Sequence, residues 1–341
     1  MIHYRLALIG FGNVGQAFVR LLERKKELLL KEYDLSYSIT GIATGRHGTA
    51  MDLHGINIEN ALELISKGSG LGAISERGVN VDPFEFIRSC GADVLFENTP
   101  VNYSDGQPAV EYLRTALQAG MHTITANKGP VVHAYQELTR LAENMGRKFL
   151  FESAVMDGAP IFSLFRESLP AVELHRFSGI LNSTTNLILS RMESGESFEQ
   201  AVAYAQSIGI AETDPSGDID GWDAAVKVAA LVTVLMDIPL KPAQVIRTGI
   251  RNISQEDVFQ AARQGKRWKL VCSARREGKT VFAQVKPELV GSESPLFGVS
   301  GTSSIVTFET DVLPQLSIVE GNPGPETTAY GLLADLINLT R

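Results

Sequence analysis

A chain of 341 residues exceeds one ordinary core and suits two domains of about 100–200 residues each. With 44% hydrophobic and 21% charged residues it can bury a sizeable core, which excludes intrinsic disorder. A formal net charge of −8 excludes a general binder of nucleic acid or anionic membranes, because phosphate attraction needs clustered Lys and Arg. Two cysteines, Cys90 and Cys272, lie far apart without CxxC spacing, so they build no disulfide or metal framework and fit a reducing, cytoplasmic setting. No apolar stretch approaches the roughly 20 residues needed to span a bilayer, and the start lacks the basic and apolar segments of an export signal.

Leu6-Ala7-Leu8-Ile9 is a short apolar run typical of a buried parallel strand, and Gly10-Phe11-Gly12-Asn13-Val14-Gly15 follows at once. Residues 16–32 then carry Ala17, Phe18, Leu21, Leu22, Leu28 and Leu29 at helical spacing. Strand, GxGxxG turn and helix in that order predict a dinucleotide site. Gly10 permits the turn, Gly12 lets the backbone approach a pyrophosphate, and Gly15 allows close helix–strand packing. A second strand over 38–43 ends in Thr44-Gly45-Arg46-His47-Gly48, with no acid to hold the adenosine ribose hydroxyls. Arg46 there either pairs with the 2′-phosphate of NADP or stands as a solvated loop arginine, and the expectation leans to NADP over NAD.

Asp93-Val94-Leu95-Phe96-Glu97-Asn98-Thr99-Pro100 reads as a strand ending in a turn, residues 109–119 as a helix closed by Gly120, and 122–126 as the next strand. Ligands of open α/β sheets bind beyond the carboxyl ends of strands, so Thr99, Pro100 and Lys128 are candidates to line the nicotinamide end. Lys128 taken alone reads equally well as an exposed turn lysine.

After an apolar run at 149–152, Ser153-Ala154-Val155-Met156-Asp157-Gly158-Ala159-Pro160 forms a loop leading to a helix near Pro160. A strand over 177–181 enters Asn182-Ser183-Thr184-Thr185-Asn186, which caps a helix or grips a polar ligand. Residues 212–223 crowd five acids into twelve positions, and 222–236 follows as a helix buried on most of its circumference. Within it only Asp223 and Lys227 are charged, four apart and on one face. The plain reading makes Asp220 the N-cap, Asp223 the acid of a capping box and Lys227 its ion-pair partner. A lysine on an otherwise apolar helix must nevertheless face a cavity or bear a large desolvation cost, which points to a functional Lys227.

The run from Ala205 to Lys227 resembles the signature of homoserine dehydrogenases, in which alanine, glycine, Asp-Pro, Asp, Gly, Asp and lysine recur at these spacings. Gly10–Gly15, Glu97-Asn98-Thr99-Pro100, Thr125-Ala126-Asn127-Lys128-Gly129-Pro130, Gly179-Ile180-Leu181-Asn182 and Thr327-Thr328-Ala329 extend the resemblance over nearly the whole chain. It implies hydride transfer between NAD(P)H and the aldehyde carbon of aspartate 4-semialdehyde, in threonine, methionine and isoleucine biosynthesis. It further implies Lys227 as the proton donor, Asp223 orienting it, Glu212, Asp218 and Asp223 around the substrate, and Lys128 near cofactor and substrate. Gly10 to Gly15, with Phe11, Asn13 and Val14, would hold the cofactor together with Arg46, Thr99 and Pro100. A sodium ion held by the main-chain carbonyls of Glu152, Val155, Asp157 and Ala159 is also implied, although the usual glycine-rich loop is replaced and Asp157 adds a carboxylate.

The expected fold is α/β, with a Rossmann-type nucleotide-binding domain over 1–135, completed by a C-terminal helix within 320–341. An α/β catalytic and dimerisation domain is expected over 136–319. The resemblance also implies a homodimer acting on a small molecule, and a short form without a C-terminal regulatory domain or fused kinase. The rivals are another amino-acid or semialdehyde dehydrogenase and a non-catalytic NAD(P)-binding sensor. A phosphorylating semialdehyde dehydrogenase needs a cysteine nucleophile, and neither Cys90 nor Cys272 is placed for it.

Overall fold

A computed structural model describes residues 1–76 and 81–341 and divides into two units, Met1–Pro160 with Gly324–Arg341, and Ile161–Pro323. In the first unit β1 (Ile2–Ile9), α1 (Asn13–Tyr33), β2 (Leu35–Ala43), β3 (Thr49–Met51), α2 (Ile58–Ser66), α3 (Pro83–Ser89), β4 (Val94–Glu97), α4 (Ala109–Gln118), β5 (His122–Thr125), α5 (Lys128–Asn144) and β6 (Phe149–Leu150) follow one another. The strand order is β3-β2-β1-β4-β5-β6, parallel throughout except for the short antiparallel β3. The order reverses between β1 and β4, the place where open α/β sheets bind ligands.

Apolar residues cover both faces of this sheet, which is why its strands read as unbroken hydrophobic runs. Phe96 of β4 lies with Phe18 of α1, ring centroids 4.4 Å apart, while its neighbour Leu95 packs on the other face with Phe86 and Ala116. Successive strand side chains point to opposite faces, so one tetrapeptide feeds two cores. The last helix of the chain also belongs to this unit, laying Ala329, Leu332 and Leu336 into the cluster around Phe18.

The second unit contains β7 (Leu174–Ile180), α6 (Ser183–Glu193), α7 (Phe198–Ser207), α8 (Ser216–Ile219), α9 (Trp222–Leu235), β8 (Ile246–Arg247), α10 (Gln255–Arg263), β9 (Lys266–Glu277), β10 (Thr280–Gly291), β11 (Ser304–Thr310) and β12 (Leu316–Glu320). Its sheet runs β12-β11-β7-β9-β10-β8, and all neighbours but β8 pair antiparallel. Helices α6 and α9 pack on it. The chain then returns as α11 (Pro325–Asn338).

The division expected after residue 135 falls later, at Pro160. The reason is local: α5 continues to Asn144, and β6 must follow because it extends the first sheet beside β5.

Candidate active site

In the first unit the glycine turn closes against the end of β4. Gly10 has φ +91°, and a Cβ there would lie 2.5 Å from the Asn98 carbonyl and 2.8 Å from Thr99 N, so only glycine fits the turn. Gly12 meets nothing within 4 Å of its would-be Cβ. As N-cap of α1 it offers no side chain to the helix's first N–H groups, which stay directed at a ligand. Gly12 and Asn13 are exposed and Val14 is half-buried, while Phe11 belongs to the core. The exposed Arg46 stands in the turn between β2 and β3, where His47 N donates to the Thr44 hydroxyl at 2.7 Å.

Beyond β4, Thr99 is half-buried and Pro100 exposed. Asn98 has both amide atoms buried without a protein partner. A buried polar group left without a hydrogen bond costs about 1–3 kcal/mol, so the Asn98 amide stands at a cost in the protein alone. Lys128 is no exposed turn lysine. It is half-buried and opens α5, whose N-cap Asn127 accepts from Gly129 N at 2.9 Å.

The loop after β6 holds Glu152, Val155, Asp157 and Ala159 in a short stretch. Asp157 adopts φ 41°, and Ala159 N donates to the Met156 carbonyl at 2.8 Å. The Asp157 carboxylate accepts from the Thr327 hydroxyl at 3.1 Å, so the extra acid of this loop ties it to α11. Among the described residues no group of three or more His, Cys, Asp or Glu side chains is placed to hold a metal, which leaves main-chain carbonyls as the ligands to consider.

In the second unit β7 ends at Ile180, and Asn182 caps α6 by accepting from Thr185 N at 2.8 Å. The Asn182 amide nitrogen donates to Asp218 at 2.6 Å and to Asp223 at 3.1 Å, so one side chain bridges the two acids. Lys227 completes the group. Its Nζ donates to the Leu181 carbonyl at 2.6 Å and lies 3.4 Å from Asp223 Oδ2, and the lysine side chain keeps 16% of its surface exposed. An ammonium has three N–H groups, so one remains for a ligand.

Burial and the neighbouring Asp223 carboxylate raise the Asp218 pKa, against hydrogen bonds from Asn182 and Thr184 and the Lys227 charge. Lys269 makes an instructive contrast. It is fully buried and occupied by the Val299 carbonyl at 2.7 Å and Asn186 Oδ1 at 3.1 Å, and burial lowers its pKa to about 8. That lysine is part of the protein interior, whereas Lys227 has an open side.

The structure thus gathers Asp218, Asp223 and Lys227. The Glu212 side chain is exposed, and its main-chain carbonyl accepts from Gln206 Nε2 at 3.1 Å. Asp220 is not the N-cap of α9. Gly221 takes that position with φ 80°, and Asp220 instead pairs with Arg251 at 3.0 Å. The capping explanation of the acids therefore lapses. The residues alone left Asn182 open between capping and gripping a ligand, and placed Asn98 at the end of a strand without giving its side chain a role. For Asn182 the signal was there, an amide at a strand end, but its capping role accounted for it equally well.

Both cysteines are free and buried, and burial raises Cys90 and pushes Cys272 up to about 12. Neither supplies the thiolate of an acyl-transfer mechanism.

A parallel sheet with strand reversal beside a glycine turn, and a lysine held among acids, define an NAD(P)-dependent oxidoreductase. Residues 10–152 match the family model for the homoserine dehydrogenase NAD-binding domain, and residues 160–337 that for homoserine dehydrogenase. An NAD(+)-dependent homoserine dehydrogenase of Pseudomonas canavaninivorans is 34% identical over 99% of this chain and 97% of its own length. A homoserine dehydrogenase of Methanocaldococcus jannaschii is 35% identical, with 98% of each covered. A hyperthermophilic archaeal homoserine dehydrogenase in complex with NADPH superposes with a TM-score of 0.84 at 28% identity, over 99% of this chain and 98% of that one. The chain belongs to the homoserine dehydrogenase family, whose members interconvert L-homoserine and L-aspartate 4-semialdehyde with NAD(P).

The bridge made by Asn182 is testable. Because the folded-state pKa of Asp218 is raised, its ionisation costs stability as pH rises through that value, and the cost vanishes below the ordinary carboxylate range. Asn182→Ala removes the donor that offsets this cost together with the cap of α6. It should lower stability by about 2 kcal/mol near neutral pH and by less in weak acid, as read by urea unfolding. A loss independent of pH would contradict the bridging role.

Proposed function

We propose that Lys227 is the acid/base group of the homoserine–semialdehyde interconversion and that Asp218 and Asp223 receive the substrate's α-ammonium. The observation that carries this is the Lys227 ammonium, oriented by the Leu181 carbonyl and Asp223 with one N–H to spare. When bound, NAD(P) supplies or accepts the hydride at the substrate's carbonyl carbon. In reduction Lys227 gives its proton to the oxygen on which negative charge develops, and in oxidation it takes the hydroxyl proton. Asp223 holds that ammonium in place. Asp218, whose pKa is raised by burial and by the neighbouring Asp223 carboxylate, gains a charged partner when an ammonium arrives. Glu212, whose side chain is exposed, is proposed for the same ammonium on the resemblance alone.

For the cofactor, the open space at Gly12, the uncapped N-terminus of α1 and the unpartnered Asn98 amide fit a bound dinucleotide. We assign the pyrophosphate to Gly10–Gly15 and the nicotinamide end to Thr99, Pro100 and Lys128. The exposed Arg46 has no acid competing for it at the end of β2 and suits the 2′-phosphate of NADP.

A sodium ion on the Glu152, Val155, Asp157 and Ala159 carbonyls is compatible with the loop, since neither the Ala159–Met156 bond nor the Thr327–Asp157 bond uses a carbonyl of that set. Dimerisation is proposed through the second sheet. On β9 and β10, Cys272 and Val285 lie on the face covered by α9, Val285 coming within 3.4 Å of the Cβ position of Gly221. The alternate residues Ser273, Arg275, Phe282 and Gln284 therefore face away, with Phe282 41% exposed. Such a face suits a self-complementary contact with a second copy. The two buried free thiols fit a reducing compartment such as the cytoplasm, and among the described residues no helix is long and apolar enough to cross a membrane.

Purified protein given L-homoserine should reduce NADP or NAD, and binding without reduction would sink the assignment. In the same assay Lys227→Ala should cut turnover at least about 100-fold with cofactor affinity nearly intact, the usual scale for losing a general acid–base group. Arg46→Ala should raise the KM for NADP and leave that for NAD alone, and equal effects on both would remove Arg46 from the phosphate. Exchanging KCl for NaCl should raise the melting temperature if the carbonyl loop holds sodium, and identical melting in the two salts speaks against it. Sedimentation equilibrium should report twice the 37.0 kDa chain mass, whereas a monomer at micromolar concentration would refute the dimer.

A further inference from the structure

The carboxylate of Glu97 belongs to none of the roles assigned above. It ends β4, is fully buried, and sits opposite Thr125 in the parallel register with β5. Oε1 accepts from Thr99 N at 2.7 Å and from the Thr99 hydroxyl, and Oε2 accepts from the Thr125 hydroxyl at 2.7 Å. Asn127 extends the lattice. Its amide nitrogen donates to the Thr99 carbonyl at 3.2 Å, its main-chain N donates to Thr125 Oγ1 at 2.9 Å, and its Oδ1 caps α5 through Gly129 N.

Among the described residues no basic side chain is one of the groups acting on Glu97, and burial drives its pKa upward against these hydrogen bonds. Burying a carboxylate without a counter-charge costs several kcal/mol, and an apolar residue of similar size would meet the packing need alone. What an apolar residue cannot do is fix two loops at once. Through Thr99 and through Thr125 and Asn127, the one carboxylate ties the ends of β4 and β5 together, and those ends carry Thr99-Pro100 and Lys128.

We propose that Glu97 is a positioning residue for the nicotinamide cofactor, holding the two strand-end loops of the first unit in the arrangement that receives it. The proposal rests on the assignment of Thr99, Pro100 and Lys128 to the cofactor. Thr99 is pinned at both its N–H and its hydroxyl, so its main chain is set before any ligand arrives. The first turn of α5 is set by Asn127, itself anchored to Thr125 and Thr99. Prearranged groups spare a ligand the cost of ordering them.

The test measures NADPH and NADH affinity by fluorescence titration without substrate, alongside kinetics and thermal unfolding, for wild type, Glu97→Leu and Glu97→Gln. Glutamine keeps the shape and the acceptor for Thr99, and its amide can face a Thr125 hydroxyl turned toward the Glu97 carbonyl, which already accepts from it at 3.0 Å. Glu97→Leu should weaken binding of the reduced cofactor at least about tenfold, equivalent to about 1.4 kcal/mol, and raise the cofactor KM in step. Glu97→Gln should recover most of the loss. Should the leucine variant not fold, Thr125→Val deletes one bond of the same lattice and should weaken cofactor binding at least about threefold. Wild-type affinity in the folded variants, whatever their melting temperatures, overturns the proposal and leaves the cofactor residues standing. A wild-type protein that binds the cofactor normally while Thr99→Ala and Lys128→Ala do so equally well overturns the residue assignment instead.

Discussion

One ammonium group, that of Lys227, organises the second unit. It projects from a helix whose buried positions, Asp223 and Thr233 apart, are Ala, Val and Leu, and it is held by the Leu181 carbonyl and the Asp223 carboxylate. That environment exacts conditions on everything nearby. The strand must end so that Leu181 presents its carbonyl, Asn182 must neutralise the mutual repulsion of Asp218 and Asp223, and α9 must not slide. Its N-terminus is anchored accordingly: Arg251 holds Asp220, and Arg247 donates to the Asp220 carbonyl while its guanidinium lies 3.7 Å over the Trp222 ring. An isolated acid–lysine pair on a helix surface is weak, but a pair with 16% and 12% of its side chains exposed is screened far less by water.

The first unit solves a different problem, that of presenting main-chain N–H groups and strand ends to an anionic ligand. Gly10 brings the turn against Asn98, which allows α1 to begin immediately after β1, and the absence of a capping side chain leaves its first turn open. Strands β1 and β4 are packed on both faces, with Phe18 and α11 on one side and Phe86 and α4 on the other. The Glu97 carboxylate adds a crosslink between the ends of β4 and β5 through Thr99 and Thr125.

Much of this was legible in the residues themselves. Gly10 to Gly15 between an apolar run and an amphipathic segment has few other physical readings, and Lys227 stood out as a charge on an apolar helix. What escaped was of two kinds. Long-range hydrogen bonding left no local mark: Glu97 looked like the polar end of a strand, and its hold on Thr125, 28 residues away, depends on β4 and β5 lying side by side. Competing local explanations hid the rest. Asp220 looked like an N-cap until Gly221 proved to take that position with φ 80°, and capping accounted for Asn182 as well as ligand binding did, with nothing local to show that it bridges Asp218 and Asp223. The unit boundary moved from 135 to 160 because the two residues of β6 carry too little pattern to be recognised as a sixth strand.

We propose that a hydride passes to a carbonyl carbon while Lys227 supplies the proton, and an isotope can follow the hydride. With a reduced nicotinamide cofactor deuterated at C4 on the transferred face and L-aspartate 4-semialdehyde in ordinary water, mass spectrometry and NMR of the product should find the deuterium on C4 of homoserine. Homoserine formed without the label from either face of the cofactor, or no homoserine at all from active-site-intact protein, would contradict it.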